Sequence, residues 1–295
     1  MGLARILRAV SELSDRHFNV LRVIERNSMR GSLTRVESVS RAMKLSEQYL
    51  AKLLSELHDA SLVWSPAGRK SGYVLNYAGL DALALRAMLR RGIVASVGNV
   101  IGVGKESDVY AADTPEGERV SLKLYRAGRL SMTRYRRTRS LPSELGSYLA
   151  ASTRFAANEV RALRVLYEAG LPVPFPVYRN RHAVVAQLID GVPLVKVKSI
   201  PKPPELVLEE LLKAVKDAHS AGIIHSDLSA YNVLVDAEGR SWIIDWPQWV
   251  RRDHPNVLFY LRRDVQNLID FFKRRYHMDL PPSLIEEFLR SVTPT

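Results

Sequence analysis

The stretch His225-Ser226-Asp227-Leu228-Ser229-Ala230-Tyr231-Asn232, followed after one short hairpin by Ile243-Ile244-Asp245, constrains this chain more than any other. Val233 to Asp236 reads as a strand, Asp236-Ala237-Glu238-Gly239 as a turn and Ser241 to Asp245 as the returning strand. Asn232 and Asp245 are then expected opposite each other at the open end of the hairpin, two oxygen ligands facing one point. Asp227, on the loop that enters the hairpin, suits a carboxylate that orients a nucleophile near a metal-held phosphate. An Asx-rich turn is the competing reading, and the residues upstream argue against it.

Ile101-Gly102-Val103-Gly104-Lys105-Glu106-Ser107-Asp108-Val109-Tyr110 reads as strand, Gly-bearing turn and strand, in which glycines let backbone amides approach phosphate oxygens. It is not a Walker loop, and Ser107 stands where the kinase or Rossmann pattern has its third glycine. The next residues suit a strand and a turn rather than the helix a Rossmann unit needs. Val120 to Tyr125 alternates, so Lys123 faces away from Leu122 and Leu124 and can reach phosphates. On the following helix Phe155, Glu159, Ala162, Leu163 and Leu166 form one stripe with Glu159 as its only charge. A carboxylate aimed at a core should have a partner; Lys123 is the expected one, and surface pairing with Arg154 or Arg164 is the alternative.

The order Gly-bearing turn, strand lysine, helix glutamate, H-x-D-x-x-x-x-N and a following Asp is that of the protein-kinase superfamily. The usual H-R-D stands here as His225-Ser226-Asp227, and D-F-G as Asp245-Trp246-Pro247. Gly104-Lys105-Glu106-Ser107-Asp108-Val109-Tyr110 and Ile244-Asp245-Trp246-Pro247-Gln248 resemble the RIO family of atypical kinases, and with the N-terminal region most closely its winged-helix subfamily, archaeal RIO kinase 2. That resemblance implies ATP with Mg2+ (Mn2+ also suits) as cofactors and Asp227, Asp245 and Lys123 as catalytic residues, Asp227 as base or water-positioning group. Asn232 and Asp245 would hold the metal, with a phospho-aspartate forming on Asp245. The nucleotide would lie along Gly102, Val103, Gly104, Lys105, Glu106, Ser107, Val109, Lys123 and Glu159, with Ala186, Gln187 and Ile189 near the base and Asn232 near the phosphates. It further implies maturation of the small ribosomal subunit, with the subunit precursor, rRNA and ribosomal proteins as partners.

After Asp245 there is room for few helices, such as Val257 to Tyr276 and Pro282 to Val292, and no A-P-E follows. Slow ATP hydrolysis or self-phosphorylation therefore fits better than efficient phosphorylation of a generic protein. The expected fold is α+β: a winged helix over residues 1–80, a connecting helix over 81–92, and a compact bilobal protein-kinase-like domain over 93–295. Its lobes would divide near 187, and it would lack the activation segment and the peptide-binding platform.

The winged helix rests on apolar positions Phe18, Leu21, Val23 and Ile24, on a second helix from Leu33 to Met43, and on a third capped by Ser46 with Tyr49, Leu50, Leu53, Leu54 and Leu57 inward. Leu62-Val63-Trp64 and Tyr73-Val74-Leu75 flank a basic turn. The third helix is not notably basic, so an RNA or ribonucleoprotein surface is expected, using Arg69 and Lys70 in the wing. The net charge of +12 suits a polyanion partner. Within the segment from Arg126 to Arg139, read as a mobile loop, Arg134, Arg136, Arg137 and Arg139 are the main candidates for RNA phosphates. Arg251, Arg252, Arg262, Arg263, Lys273, Arg274 and Arg275 add basic character.

At 295 residues and 46% hydrophobic content the chain suits a two-domain protein, expected to be monomeric and cytoplasmic, without membrane contact. Cysteine is absent, which excludes disulfide and thiolate-metal chemistry, and the histidines show no metal-ligand spacing, so His225 is expected to brace its loop. Two other readings stand: a small-molecule phosphotransferase of the aminoglycoside-kinase type, and a winged-helix nucleic-acid-binding regulator with an ATP-sensing domain.

Overall fold

The N-terminal region folds as helices because its apolar residues recur at helical spacing between residues that cap. In a computed structural model, which describes residues 2–65, 72–129 and 142–292, four helices come first: α1 Leu3–Glu12, α2 Asp15–Ser28, α3 Val36–Met43 and α4 Glu47–Asp59. Helix α1 had not been read from the sequence, although Ile6, Ala9 and Val10 lie on one face and are buried. Ser46 caps α4, its hydroxyl accepting from the Tyr49 N–H at 3.4 Å, and Leu50, Leu53, Leu54 and Leu57 form the buried face. A cap of this kind contributes about 1 kcal/mol. Strands β1 Val63–Trp64 and β2 Val74–Leu75 pair antiparallel, giving the expected helices and hairpin of a winged helix. Helix α5 Tyr77–Arg90 follows, capped by Asn76.

Strands β3 Ser96–Val103, β4 Ser107–Asp113, β5 Arg119–Tyr125, β6 Pro176–Asn180 and β7 Ala183–Gln187 make one sheet in the order β3-β4-β5-β7-β6. The β3–β4 pairing shifts register on both sides of Val100, a bulge that brings Gly102 opposite Val109. Helix α6 Pro142–Glu168 lies between β5 and β6 in the chain.

Contacts divide the chain into Met1–Ala156 with Tyr178–Val185, and Ala157–Val177 with Ala186–Thr295. The first unit therefore joins the winged helix, α5 and most of the five-stranded sheet. One core runs through them, from Phe18, Leu21 and Leu57 through Leu80 and Leu85 to Leu122, Leu124 and Val185. Close approach fixes one more join: a Cβ at Gly146 of α6 would lie 2.1 Å from the Ser28 carbonyl oxygen at the end of α2, so only glycine fits.

The second unit holds the rest of α6, strand β8 Gly191–Pro193, helix α7 Pro204–Ser220, strands β9 Ile223–Ile224, β10 Val233–Asp236, β11 Ser241–Ile243 and β12 Val250–Arg251, and helices α8 Val257–Tyr276 and α9 Leu284–Val292. Its sheets run β11-β10-β8 and β12-β9. Leu163 and Leu166 of α6, Leu211 of α7, and Leu261, Leu268 and Phe272 of α8 share its core with Trp246. Only residues 246–256 separate Asp245 from α8, and α8 and α9 are the helices expected there. Among the described residues no helix is long and apolar enough to cross a membrane.

Candidate active site

In the second unit the candidate residues converge on the hairpin, with one departure from the sequence reading. Val233 pairs with Ile243, and the Ile244 N–H donates to the Asn232 carbonyl at 2.9 Å. Strand β11 therefore ends at Ile243, and Ile244, not Asp245, lies across from Asn232. Asp245 leaves the ladder with φ +70°. An aspartate tolerates this left-handed region better than most residues, and the turn re-aims its half-buried carboxylate. Asn232 ends a single 3-10 turn, Ala230–Asn232, and its Oδ1 accepts from the Ser229 hydroxyl at 2.9 Å. One lone pair of that oxygen is left for another ligand.

Asp227 is exposed, between buried Ser226 and Leu228. Ser226 has φ +64°, a conformation that costs a non-glycine residue about 1–3 kcal/mol unless its surroundings hold it. They do. Asp264 of α8 accepts from the Ser226 N–H at 2.8 Å through one carboxylate oxygen and from the Leu228 N–H at 2.9 Å through the other. The Ser226 hydroxyl donates to the Gln248 carbonyl at 2.7 Å, Arg263 donates to the Ser226 carbonyl, and the Asn267 amide donates to the Leu228 carbonyl at 2.8 Å. Burial pushes the Asp264 carboxyl up to about 7, against the pull of its two backbone donors and of Arg263, while the nearby Asp227 adds to the rise. His225 braces the loop as expected: its Nε2–H donates to the Ile244 carbonyl at 3.1 Å and its ring packs 4.5 Å from that of Trp246.

Glu159 is 5% exposed on α6, whereas Arg154 and Arg164 stand in solvent. The carboxylate thus lies inside the stripe rather than at its edge. Asn158 and Trp249 close the turn after Asp245: the Asn158 amide donates to the Pro247 carbonyl at 3.2 Å, and the Trp249 indole donates to the Asn158 carbonyl at 3.0 Å. Near the expected base site, the Gln187 N–H donates to the Phe175 carbonyl at 2.8 Å, and the Gln187 side-chain oxygen accepts from the Phe175 N–H at 3.3 Å. That N–H is thus committed within the fold. Ala186 is buried, and the Ile189 carbonyl accepts from Gly191 at 3.0 Å.

In the first unit Lys123 alternates as read: Leu122 and Leu124 are buried, and the ammonium lies 4.9 Å from the Tyr125 ring centre. The Gly104 N–H donates to the Ser107 carbonyl at 2.8 Å, so this amide closes the turn and is not offered to a phosphate. A Cβ at Gly102 would come no nearer than 3.7 Å to Val109, and one at Gly104 no nearer than 3.5 Å to Ser107. The fold itself therefore does not demand these glycines. Lys105 and Val103 are exposed, and Glu106, Ser107 and Val109 are half-buried.

Arg126 and Arg129 are not part of a mobile loop. Arg126 forks onto Asp81 at 2.6 and 2.8 Å, and Arg129 pairs with Asp108 at 2.5 Å. Arg134, Arg136, Arg137 and Arg139, like Arg69 and Lys70 of the wing, lie outside the described residues. Near the C-terminus Arg251 pairs with Asp253 and Arg262 with Glu286, so part of that basic character is neutralised locally.

Among the described residues no cluster of three or more His, Cys, Asp or Glu could hold a metal ion. Mg2+ does not need one: it takes one or two protein oxygens and fills its octahedron with water and phosphate. Asn232 and Asp245 fit that donor set.

The RIO domain model matches residues 108–283, and the Rio2 N-terminal model matches residues 10–91. This chain belongs to the Rio2 family of RIO-domain proteins. It is 35% identical over 273 residues to serine/threonine-protein kinase rio2 of Schizosaccharomyces pombe, covering 92% of this chain and 79% of that protein. It is 34% identical over 250 residues to the RIO-type serine/threonine-protein kinase Rio2 of Methanocaldococcus jannaschii, covering 83% of this chain and 91% of that one. The crystal structure of a Rio2 kinase-ADP/Mg2+-phosphoaspartate complex from Chaetomium thermophilum is similar with a TM-score of 0.84 at 32% identity, over 97% of this chain and 88% of that one. The Rio2 assignment agrees with the winged helix followed by a kinase-like fold. Asp264 and Asp81 escaped the sequence reading, which takes Arg126 only as part of a basic loop, although Asp264 is the one acid on the apolar stripe of α8, the same signal that picks out Glu159.

Proposed function

We propose that this chain is an ATP- and Mg2+-dependent phosphotransferase and ATPase of the Rio2 type. The observation that carries the reading is the loop around Asp227, whose flanking amides are both gripped by Asp264 while its own carboxylate stays exposed. A carboxylate so presented can accept a proton from an attacking hydroxyl or water without losing its orientation. Lys123 is assigned to the phosphates, Glu159 as the buried carboxylate of the set, and Asn232 and Asp245 as metal ligands. Bound Mg2+ supplies neutralisation of phosphate charge.

Phosphate transfer to Asp245 is supported by the phosphoaspartate in the Rio2 kinase complex from Chaetomium thermophilum. A carboxylate oxygen of Asp245 would bond to the γ-phosphorus as the bond to the bridging oxygen of ADP breaks. Water would later release inorganic phosphate, with Asp227 accepting its proton. The Rio2 family membership also supports action on a precursor of the small ribosomal subunit in the cytoplasm, and the net charge of +12 suits such a polyanion. The aminoglycoside-kinase-type reading is disfavoured by the matches to the RIO domain and Rio2 N-terminal models. The idle-regulator reading sits poorly with a complete catalytic set.

The test is incubation with γ-labelled ATP and Mg2+, with and without small ribosomal subunits, following released phosphate and label on the protein. The expected result is subunit-dependent hydrolysis with a hydroxylamine-labile label that Asp245→Asn abolishes. Stable Ser or Thr label, unaffected by subunits and kept in Asp245→Asn, would overturn the ATPase reading.

A further inference from the structure

Asp81, on α5, is 1% exposed and takes three hydrogen bonds from two residues. Arg126 forks onto it with Nη1 on Oδ1 at 2.6 Å and Nη2 on Oδ2 at 2.8 Å, and His182 lies 2.7 Å from Oδ1 through Nε2. Burial alone would raise the Asp81 carboxyl, but the Arg126 charge and the His182 hydrogen bond hold it below its usual range. Burial holds His182 low. Asp81 is thus ionised, His182 is neutral with its proton on Nε2 and donates to it, and Arg126 is the counter-charge. A buried carboxylate in this state is tolerable only because both oxygens are satisfied.

The network does not end in the core. The Arg126 N–H donates to the Glu106 carbonyl at 2.6 Å, and its Nε lies 3.4 Å from Asp108 Oδ2. The same Asp108 oxygen takes Arg129 Nη2 at 2.5 Å, and Arg129 Nη1 donates to the Gly104 carbonyl at 2.8 Å. Two of the carbonyls in the turn from Gly104 to Ser107 are therefore held, Glu106 by the main-chain N–H of Arg126, whose side chain is anchored on α5, and Gly104 by the Arg129 side chain. Tyr77, at the start of α5, ties down the same segment: its hydroxyl donates to the Ala127 carbonyl at 2.8 Å and lies 2.7 Å from Ser152 Oγ, which accepts from the Ala127 N–H.

We propose that Arg126 and Arg129 are positioning residues for ATP, holding the Gly104–Ser107 turn in its phosphate-receiving shape from an anchor, Asp81, on the helix that follows the winged helix. The proposal rests on the reading above that this turn receives the nucleotide. It makes nucleotide affinity a property set in part from α5, so that strain on that helix changes ATP binding without touching the groups that carry the chemistry.

Arg129→Gln is the deciding variant, because its side chain is partly exposed and its removal leaves no charge in the core. Equilibrium binding of Mg-ATP, turnover at saturating ATP and the melting temperature are measured together. Loss of the two charge-assisted contacts is expected to raise Kd about 10-fold, with turnover at saturation and melting temperature near wild type. Arg129→Lys, able to meet Asp108 or Gly104 but not both as a fork, is expected to recover part of the affinity. Arg126→Lys, which keeps a charge beside Asp81, should weaken binding in the same direction. Wild-type affinity in folded Arg129→Gln, or parallel loss of affinity, turnover and melting temperature, would overturn the proposal. Lys123→Met is the control: if it too bound ATP normally, the nucleotide reading itself would fall, whereas loss of binding there beside normal binding in Arg129→Gln would remove the positioning role alone.

Discussion

The two groups of candidate residues are held by opposite means. Around Gly102 and Gly104 no non-glycine residue from Ser96 to Tyr125 takes a positive φ, and the turn is relaxed backbone pinned from outside by arginine side chains. Around Asp227 and Asp245 the backbone itself is forced, with Ser226 and Asp245 at positive φ and a buried carboxylate gripping the loop from beneath. A relaxed turn can adjust to a ligand, whereas an over-determined loop keeps one geometry. The first arrangement suits a binding element and the second a chemical one, so substitutions in the two regions should separate affinity from turnover.

The sharpest break is expected at Asp227. Asp227→Ala should lower turnover about 1,000-fold, the usual scale for a lost general base, while Mg-ATP binding stays close to wild type. Single-turnover kinetics alongside equilibrium binding checks this; near-normal turnover would remove the base assignment and with it half of the contrast.

Asp264→Asn tests the grip rather than the base. A carboxylate accepts from the Ser226 and Leu228 N–H groups with two oxygens, but an amide must turn its NH2 toward one of them, and a donor then faces a donor. Misplacement of Asp227 is expected to lower turnover by up to about 100-fold. The group also leaves a signature in stability. With its carboxyl at about 7 in the fold against an ordinary value of 3.8, the folded state binds the proton more tightly. Its contribution to stability is full below 3.8 and is lost as pH rises through about 7. Urea unfolding of wild type across that window should therefore carry a downward component with pH that Asp264→Asn lacks. Equal slopes in the two proteins would show that the carboxyl is not held high.

Local pattern made much of this legible. The alternation around Lys123, the apolar stripes of α2 and α4, and the hairpin Val233–Asp236 with Ser241–Ile243 follow from periodicity and turn chemistry, which act over a few residues. Three features did not. Arg126 reads from sequence as the start of a basic loop because its counter-ion, Asp81, is far away in the chain and sits in the otherwise apolar run of α5. Asp264 is a carboxylate on a stripe, but nothing nearby says which amides it will meet. Asp245 reads as strand because its neighbours are β-formers, whereas the ladder ends at Ile243 and the chain takes positive φ at Asp245, next to the buried Trp246. Periodicity predicts which face a residue takes, and long-range partners decide what a charge on that face does.

The smallest expected effect tests the relaxed half. A Cβ at Gly102 meets Val109 at 3.7 Å, ordinary contact, and its φ is not in the left-handed region. Gly102→Ala should therefore fold with an unchanged or slightly raised melting temperature, since alanine also restricts the unfolded chain. If the glycine is there to let a phosphate chain approach the backbone, the same methyl should raise the Kd for Mg-ATP by about 3-fold to 10-fold and leave turnover at saturation alone. A variant that lost melting temperature instead would make Gly102 a requirement of the β3–β4 bulge, and the turn would then belong with the strained loop around Asp227 rather than opposite it.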